Sequence, residues 1–230
     1  FRYAEQVSWT HGRVHVGRAA APVGRRCGGG PMSRHRLVLA SASPRRRSLL
    51  HDAGFEPEVL ESDLDDAHLT RGRVSAEAFV VALSWFKARR VLWRHAPSEA
   101  VIVAADTVCV HENELLGKPR DGAHAGAMLR AMRARAHRVV TGVTILSIEG
   151  ERHLFVDVAR VSVGALADDA IDAYVASGEW RGKAGAYNFS ERVAAGWPVR
   201  CEGDATGVMG LPMRRVVPML ERLGGVRSGA

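Results

Sequence analysis

Beyond residue 31 the chain alternates continuous apolar runs with stretches whose apolar residues return every three or four positions, the pattern of strands alternating with amphipathic helices. Residues 36–40 (RLVLA) read as a buried strand. Ser43-Pro44 follows, an N-cap hydroxyl with proline at the first helical position. Leu49, Leu50 and Ala53 supply an apolar stripe, and Gly54 closes the helix. A short strand at 58–61 leads into an acidic loop carrying Asp63, Asp65 and Asp66. The spacing of Phe79, Leu83, Phe86 and Arg90 predicts an amphipathic helix over 75–94, with Lys87 on its polar side. Residues 101–105 (VIVAA) predict a central strand buried on both faces, ending at Asp106.

Strands at 108–110 and 114–116 flank Glu112-Asn113 as a small hairpin, and Asp121 caps a helix running to about residue 134. Two long strands, 138–148 and 153–163, meet at Glu149-Gly150. Asp168 caps a helix to Ser177, a glycine-rich segment follows, and a last helix covers 214–223 with Pro218 inside it. The class is α/β: two lobes of mixed α/β structure around a long twisted central sheet. Residues 1–31 show no sustained periodicity and end in Gly28-Gly29-Gly30-Pro31, with the first methionine at Met32. They are expected to be a disordered extension or a start called too early, leaving 32–230 as one folded domain.

Charge sharpens this division. The net charge of +7 invites a nucleic-acid reading, but residues 1–31 alone hold five arginines and one acid. The remainder carries about +3 with both signs interspersed, so nucleic acid is not the expected partner. A hydrophobic content of 47% and a charged content of 25% are those of a globular protein. No run approaches the roughly 18 apolar residues that span a bilayer, and the first residues lack the apolar stretch of a secretory signal. Cys27, Cys109 and Cys201 are scattered and odd in number. Neither a disulfide framework nor a CxxC metal site follows, and a cytoplasmic setting without membrane attachment is expected.

Four clusters carry candidate chemistry. Ser41-Ala42-Ser43-Pro44-Arg45-Arg46-Arg47 lies between a strand and a helix, where backbone N–H groups and the helix dipole favour an anion. The bland alternative is a cap followed by a solvated first turn. Ala104-Ala105-Asp106-Thr107 places a carboxylate at the end of an apolar strand, where it can bind Mg²⁺ or take a proton from water. The bland alternative is that Asp106 caps a turn with no further role. Leu116-Gly117-Lys118-Pro119 puts a lysine after a glycine turn, and Lys87 is a further cation; exposed lysines usually do nothing. Residues 178–187 (GEWRGKAGAY) hold Lys183 among glycines that permit close backbone approach to a ligand, or simply a loop. Neither glycine-bounded lysine has P-loop spacing. The ten histidines lack HExxH or HxH spacing, so no zinc site is inferred, and His137 reads as a strand-edge histidine.

Taken together, LASASPRR (39–46), AADTV (104–108), LGKPRD (116–121), HRVVTGV (137–143), SGEWRGKAGAY (177–187) and GLPM (210–213) resemble the Maf family of nucleotide pyrophosphatases, in order and over residues 32–223. The resemblance implies a two-lobed fold with a cleft between lobes, a homodimer, and hydrolysis of a nucleoside triphosphate to the monophosphate and diphosphate with Mg²⁺ or Mn²⁺. By residue it implies Asp106 as proton acceptor and metal ligand. Ser41, Ser43, Arg45 and Arg46 belong to the phosphate-binding loop it implies, and Lys87, Lys118 and Lys183 to the cleft lysines. Asp66 stands where the family has glutamate and is implied as a second metal ligand, one methylene shorter.

Arg45 and Thr107 resemble the branch acting on dTTP and UTP, and differ from the branch acting on 7-methyl-GTP. Ser190 replaces that branch's glutamine and cannot present an amide's donor–acceptor pair to a base. Modified nucleotides are the runner-up substrate. A non-catalytic nucleotide-binding regulator of cell division is the alternative from another class, and an RNA- or DNA-binding protein using residues 1–31 a further one.

Overall fold

Strand β3 (Arg36–Leu39) carries buried Leu37, Val38 and Leu39, so both its faces are covered and it lies inside a sheet. The computed structural model describes residues 7–10, 13–16, 35–64, 71–95 and 97–224. Asp65 and Asp66 of the acidic loop lie outside the described residues. Residues Phe1–Ser33 and Arg34–Ala230 form separate compact units. In the first, β1 (Val7–Thr10) and β2 (Arg13–Val16) pair antiparallel.

In the second unit β3 leads to α1 (Pro44–Asp52), β4 (Glu58–Val59), α2 (Ala76–His95) and β5 (Ala100–His111). β4 and β5 both run parallel to β3, as the two helical crossovers require. β6 (Glu114–Leu116) turns back on β5 through Glu112 and Asn113, both at positive φ, the backbone of a two-residue hairpin loop. After α3 (Gly122–Met132), the long antiparallel strands β7 (Arg135–Ser147) and β8 (Arg152–Val163) extend the sheet. Its order is β4-β3-β5-β7-β8-β9, where β9 is Val199–Glu202 and β6 adjoins β5.

The remaining helices are α4 (Asp168–Ser177), α5 (Phe189–Ala194), α6 (Ala205–Val208) and α7 (Met213–Arg222), with a 3₁₀ turn at Ala184–Ala186. Helices α1 and α7 cover one face of β3, β5 and β7 through Leu50, Val216 and Leu220, joined by Phe55 just after α1 and Leu211 just before α7. Helix α2 covers the other through Ala88 and Val91 against Val38, Ile102 and Ala104. A further cluster, with Leu129, Met132, Ile171, Tyr174 and Trp180, packs on the far ends of β7 and β8. The two lobes expected from the sequence therefore share strands within one body. Among the described residues no helix is long and apolar enough to cross a membrane.

Several local expectations change. Helix α1 does start at Pro44, and its C-terminus closes as a Schellman motif: Gly54 N–H bonds His51 O at 2.8 Å and Phe55 N–H bonds Leu50 O at 2.9 Å. Ser43 makes no side-chain cap, however; its own N–H donates to Ser41 Oγ at 3.3 Å. Asp168 is likewise not the cap of α4 but its first residue, held by Arg130 and Arg133. The stripe Phe79–Leu83–Phe86–Arg90 is buried only in part: Leu83 is covered but Phe86 is 56% exposed, and Ala76, Val80, Val81, Ser84, Ala88 and Val91 complete the buried face of α2. Small residues won because β7 presents Gly142 there, where a Cβ would lie 2.5 Å from the Val80 carbonyl carbon. That close approach turns Lys87 toward the sheet, its side chain 13% exposed, not to the polar side.

The strands expected at 101–105 and 108–110 are one strand. Asp106 lies within β5, not at its end, because β7 continues to pair with β5 as far as Val110↔Arg138. What ends near Asp106 is the parallel partner: β3 stops pairing at Leu39↔Val103. His137 is also no edge residue; β7 lies between β5 and β8, and His137 is 3% exposed.

Candidate active site

Strands alternate their side chains between faces, so Asp106 and its neighbour Thr107 point to opposite sides of the sheet. On the α2 side, Lys87 Nζ stands 2.6 Å from Asp106 Oδ1, both side chains almost covered. Directly across from Asp106 on β7 is Gly142, whose missing side chain lets α2 come close enough for this contact. On the α1 side, Arg46 Nη2 donates to Thr107 Oγ1 at 3.2 Å. Its Nη1 donates to Ser41 Oγ at 2.9 Å and its Nε to the Gly210 carbonyl at 2.9 Å. Thr107 Oγ1 and Thr141 Oγ1 lie 2.9 Å apart, and Thr141 Oγ1 donates to the Gly207 carbonyl at 2.9 Å.

The loop after β3 opens on a cleft of about 270 Å³ lined by residues 40–43, 61–64 and Lys87. It lies beyond the carboxyl ends of parallel β3 and β4, the place where ligands gather in sheets of this kind. Lys87 is the link: one lysine lines the cleft and touches Asp106. Glu61 and Asp63, not singled out as metal ligands from the sequence, add carboxylates to the lining, and Asp63 pairs with Arg94. Arg45 is exposed and makes no side-chain hydrogen bond with a described residue.

A second group lies along the β5–β6 hairpin. Gly185 N–H donates to the Gly117 carbonyl at 3.1 Å, tying the loop of Lys118 to that of Lys183. Gly185 holds φ 68, and Ala186 follows at φ 67, a conformation that costs an alanine about 1 kcal/mol. Lys118 is exposed, whereas Lys183 pairs with Glu191 in the first turn of α5. Ser190 Oγ donates to Asn188 Oδ1 at 2.8 Å, the same oxygen that caps α5 by accepting from Glu191 N. The described contacts thus join Ser41, Arg46 and Thr107, and separately Lys87 and Asp106, with Ser41 and Lys87 lining one cleft; a backbone bond ties the loop of Lys118 to that of Lys183, which leads into Ser190.

Thr141, Gly142 and Glu191 were missed as site residues. Thr141 and Gly142 stood inside a quoted motif but carry no chemistry until β7 is laid beside β5. Glu191 gave no signal, because a charge eight residues from Lys183 meets it only through the turn between them. Behind this region Tyr187 Oη and His137 Nε2 lie 3.1 Å apart, and His137 Nδ1 is buried without a partner among the described residues. Burial, and then the charge of nearby His111, pushes the His137 pKa down to about 4. Burial pushes the Cys109 thiol up to about 11 and raises the Tyr187 hydroxyl as well. These groups are poorly suited to acid–base work near neutrality.

Among the described residues no three His, Cys, Asp or Glu side chains stand together as a metal-binding group. That does not disfavour Mg²⁺ or Mn²⁺. Mg²⁺ is commonly held by one or two carboxylates plus substrate phosphates, and Asp106, Glu61 and Asp63 are hard oxygen donors.

The family described as Maf-like protein matches residues 36–223. A dTTP/UTP pyrophosphatase of Geobacillus sp. (strain WCH70) is 42% identical over 189 residues, covering 82% of this chain and 98% of that relative. One from Salinibacter ruber (strain DSM 13855 / M31) is 43% identical over 183 residues, covering 78% and 87%. Among solved structures, a HAM1 protein from Coxiella burnetii aligns at TM-score 0.43 with 12% identity, covering 82% of this chain and 99% of that one.

Proposed function

This chain belongs to the Maf-like protein family, and we propose from that premise that it hydrolyses a nucleoside triphosphate to the monophosphate and pyrophosphate. The observation that carries the reading is Lys87, which lines the cleft beyond β3 and β4 and contacts the buried Asp106. In this reading the phosphates lie against Ser41, Ser43 and the first turn of α1, where the positive end of the helix dipole suits an anion. Arg45, Lys118 and Lys183 add positive charge. Asp106 accepts the proton of the attacking water. Asp106 would hold a divalent cation, Asp66 is a further candidate, and Glu61 and Asp63 add carboxylates to the cleft that Lys87 lines. When bound, such a cation supplies Lewis-acid stabilisation of charge on the phosphoryl oxygens.

We place dTTP and UTP first among substrates because the relatives above carry that name. The Ser190 hydroxyl spends its proton on Asn188 and is left as an acceptor, which suits the N3–H of uracil or thymine. A homodimer and a cytosolic setting belong to the same proposal. The latter is supported by Cys109 and Cys201, which are free thiols. The test is pyrophosphate release from a panel of canonical and methylated triphosphates, with Asp106→Asn as control. Release from dTTP and UTP that falls at least about 10³-fold in the variant is expected. Near-wild-type release from a folded Asp106→Asn protein removes Asp106 from its role, and no release from any triphosphate removes the function.

A further inference from the structure

The hydroxyl protons around Arg46 can be accounted for one by one. A carbonyl only accepts, so the single hydroxyl proton of Thr141 is spent on Gly207 O, at 2.9 Å. The Thr107–Thr141 contact must then be donated by Thr107. Thr107 in turn accepts from Arg46, because a guanidinium carries donors alone. The chain has one direction: Arg46 to Thr107 to Thr141 to Gly207. Thr107 therefore has no proton left for a substrate.

At Ser41 the same accounting gives the opposite result. Its oxygen accepts from Arg46 Nη1 at 2.9 Å and from Ser43 N at 3.3 Å, which occupies both lone pairs. What remains is the hydroxyl proton. Ser41 is 8% exposed and lines the 270 Å³ cleft, and among the described residues nothing accepts that proton. The third Arg46 donor, Nε, fixes the guanidinium on the Gly210 carbonyl, where Gly210 at φ 117 leaves the space a side chain would contest, 3.1 Å from Nε.

We propose that Arg46 is a positioning residue, not a phosphate ligand: it turns Ser41 into an obligate hydrogen-bond donor aimed at a phosphoryl oxygen in the cleft, and locks the loop after β3 to β5 through Thr107. This rests on the function proposed above and names how one side of that site recognises its anion. A planar fork that directs three of its five N–H donors to Ser41, Thr107 and Gly210 can do this and an ammonium cannot, so Arg46→Lys keeps the charge and loses the role.

The test is a double-mutant cycle read by calorimetric binding of inorganic pyrophosphate, a probe that needs no turnover. Ser41→Ala and Arg46→Lys should each weaken binding about tenfold or more, and the double variant no more than about threefold beyond the weaker single. Thr107→Ser should bind like wild type, while Thr107→Val should not. In the wild-type protein, the ¹⁵N signals of the Arg46 guanidinium, assigned by their loss in Arg46→Lys, should stay in place on adding pyrophosphate. Losses that multiply in the double variant, or a large shift of those signals, overturn the proposal in favour of direct contact. The NMR measurement decides the matter even where Ser41→Ala or a Thr107 variant fails to fold. Wild-type protein that binds no pyrophosphate also overturns it. Wild-type protein that binds pyrophosphate with the expected coupling, yet cleaves no triphosphate, retains the proposal and removes the proposed function.

Discussion

Gly142 of β7 lies against the Val80 backbone of α2 so closely that a Cβ would come within 2.6 Å of three backbone atoms of Val80 and Val81. Neither strand nor helix backbone can yield as a flexible side chain does. Gly142→Ala is expected to lower stability by about 3 kcal/mol and Tm by roughly 6–12 °C, measured by thermal melting. Because Gly142 is paired with Asp106, kcat should fall too. A Tm within about 2 °C of wild type shows that the contact relaxes freely.

The cation proposed for the cleft would bind with the substrate and take no part in holding the fold. Chelation by EDTA should therefore abolish pyrophosphate release, with Mg²⁺ or Mn²⁺ restoring it. Thermal melts with and without EDTA should agree to about 1 °C. A large loss of Tm on chelation points to a structural metal instead.

His137 is buried in its neutral form with its pKa lowered to about 4. The unfolded chain, near 6.5, binds more protons between these values, so stability rises with pH across that window and is lost as pH falls through it. The full loss is on the order of 3 kcal/mol. His137→Asn should be less stable at neutral pH, having lost the Tyr187 contact, yet show a flatter dependence between pH 6.5 and 4. Denaturant melts at several pH values measure both, and an unchanged slope in the variant assigns the acid sensitivity elsewhere.

Glu191 pairs with Lys183 at the edge of the second group. If Lys183 meets substrate phosphate, this carboxylate competes with it. Glu191→Gln keeps the α5 cap, which runs through the backbone N–H, and should lower KM about threefold, the equivalent of a partly exposed ion pair. An unchanged or higher KM means that Lys183 does not meet the phosphate.

Strands and helices from 36 to 223 were legible almost to the residue where one periodicity dominated, as in β3, α1, α3 and α4. α2 shows where that legibility ends. Its large apolar residues suggested one face; Leu83 of that stripe is buried but Phe86 is exposed, and the face against the sheet also takes in Ala76, Val80, Ser84 and Ala88, where small residues fit against Gly142. In the segment after Ser177, short elements such as α5, β9 and α6 were not resolved from a single glycine-rich stretch. Helices of four to six residues carry too few turns for a period to show.

The residue types that carry chemistry were all present in the sequence: a hydroxyl- and arginine-bearing turn after a buried strand, a carboxylate on a long apolar run, and lysines beside glycines. Local chemistry determined these, because caps, turns and burial patterns act over a few residues. Only tertiary structure decided which of them meet. Lys87 reaches Asp106 across 19 residues, Arg46 reaches Thr107 across 61 and Gly210 across 164. Such contacts depend on strand register and on how closely a helix can lie on a sheet. Neither quantity is encoded in the local spacing of the residues themselves.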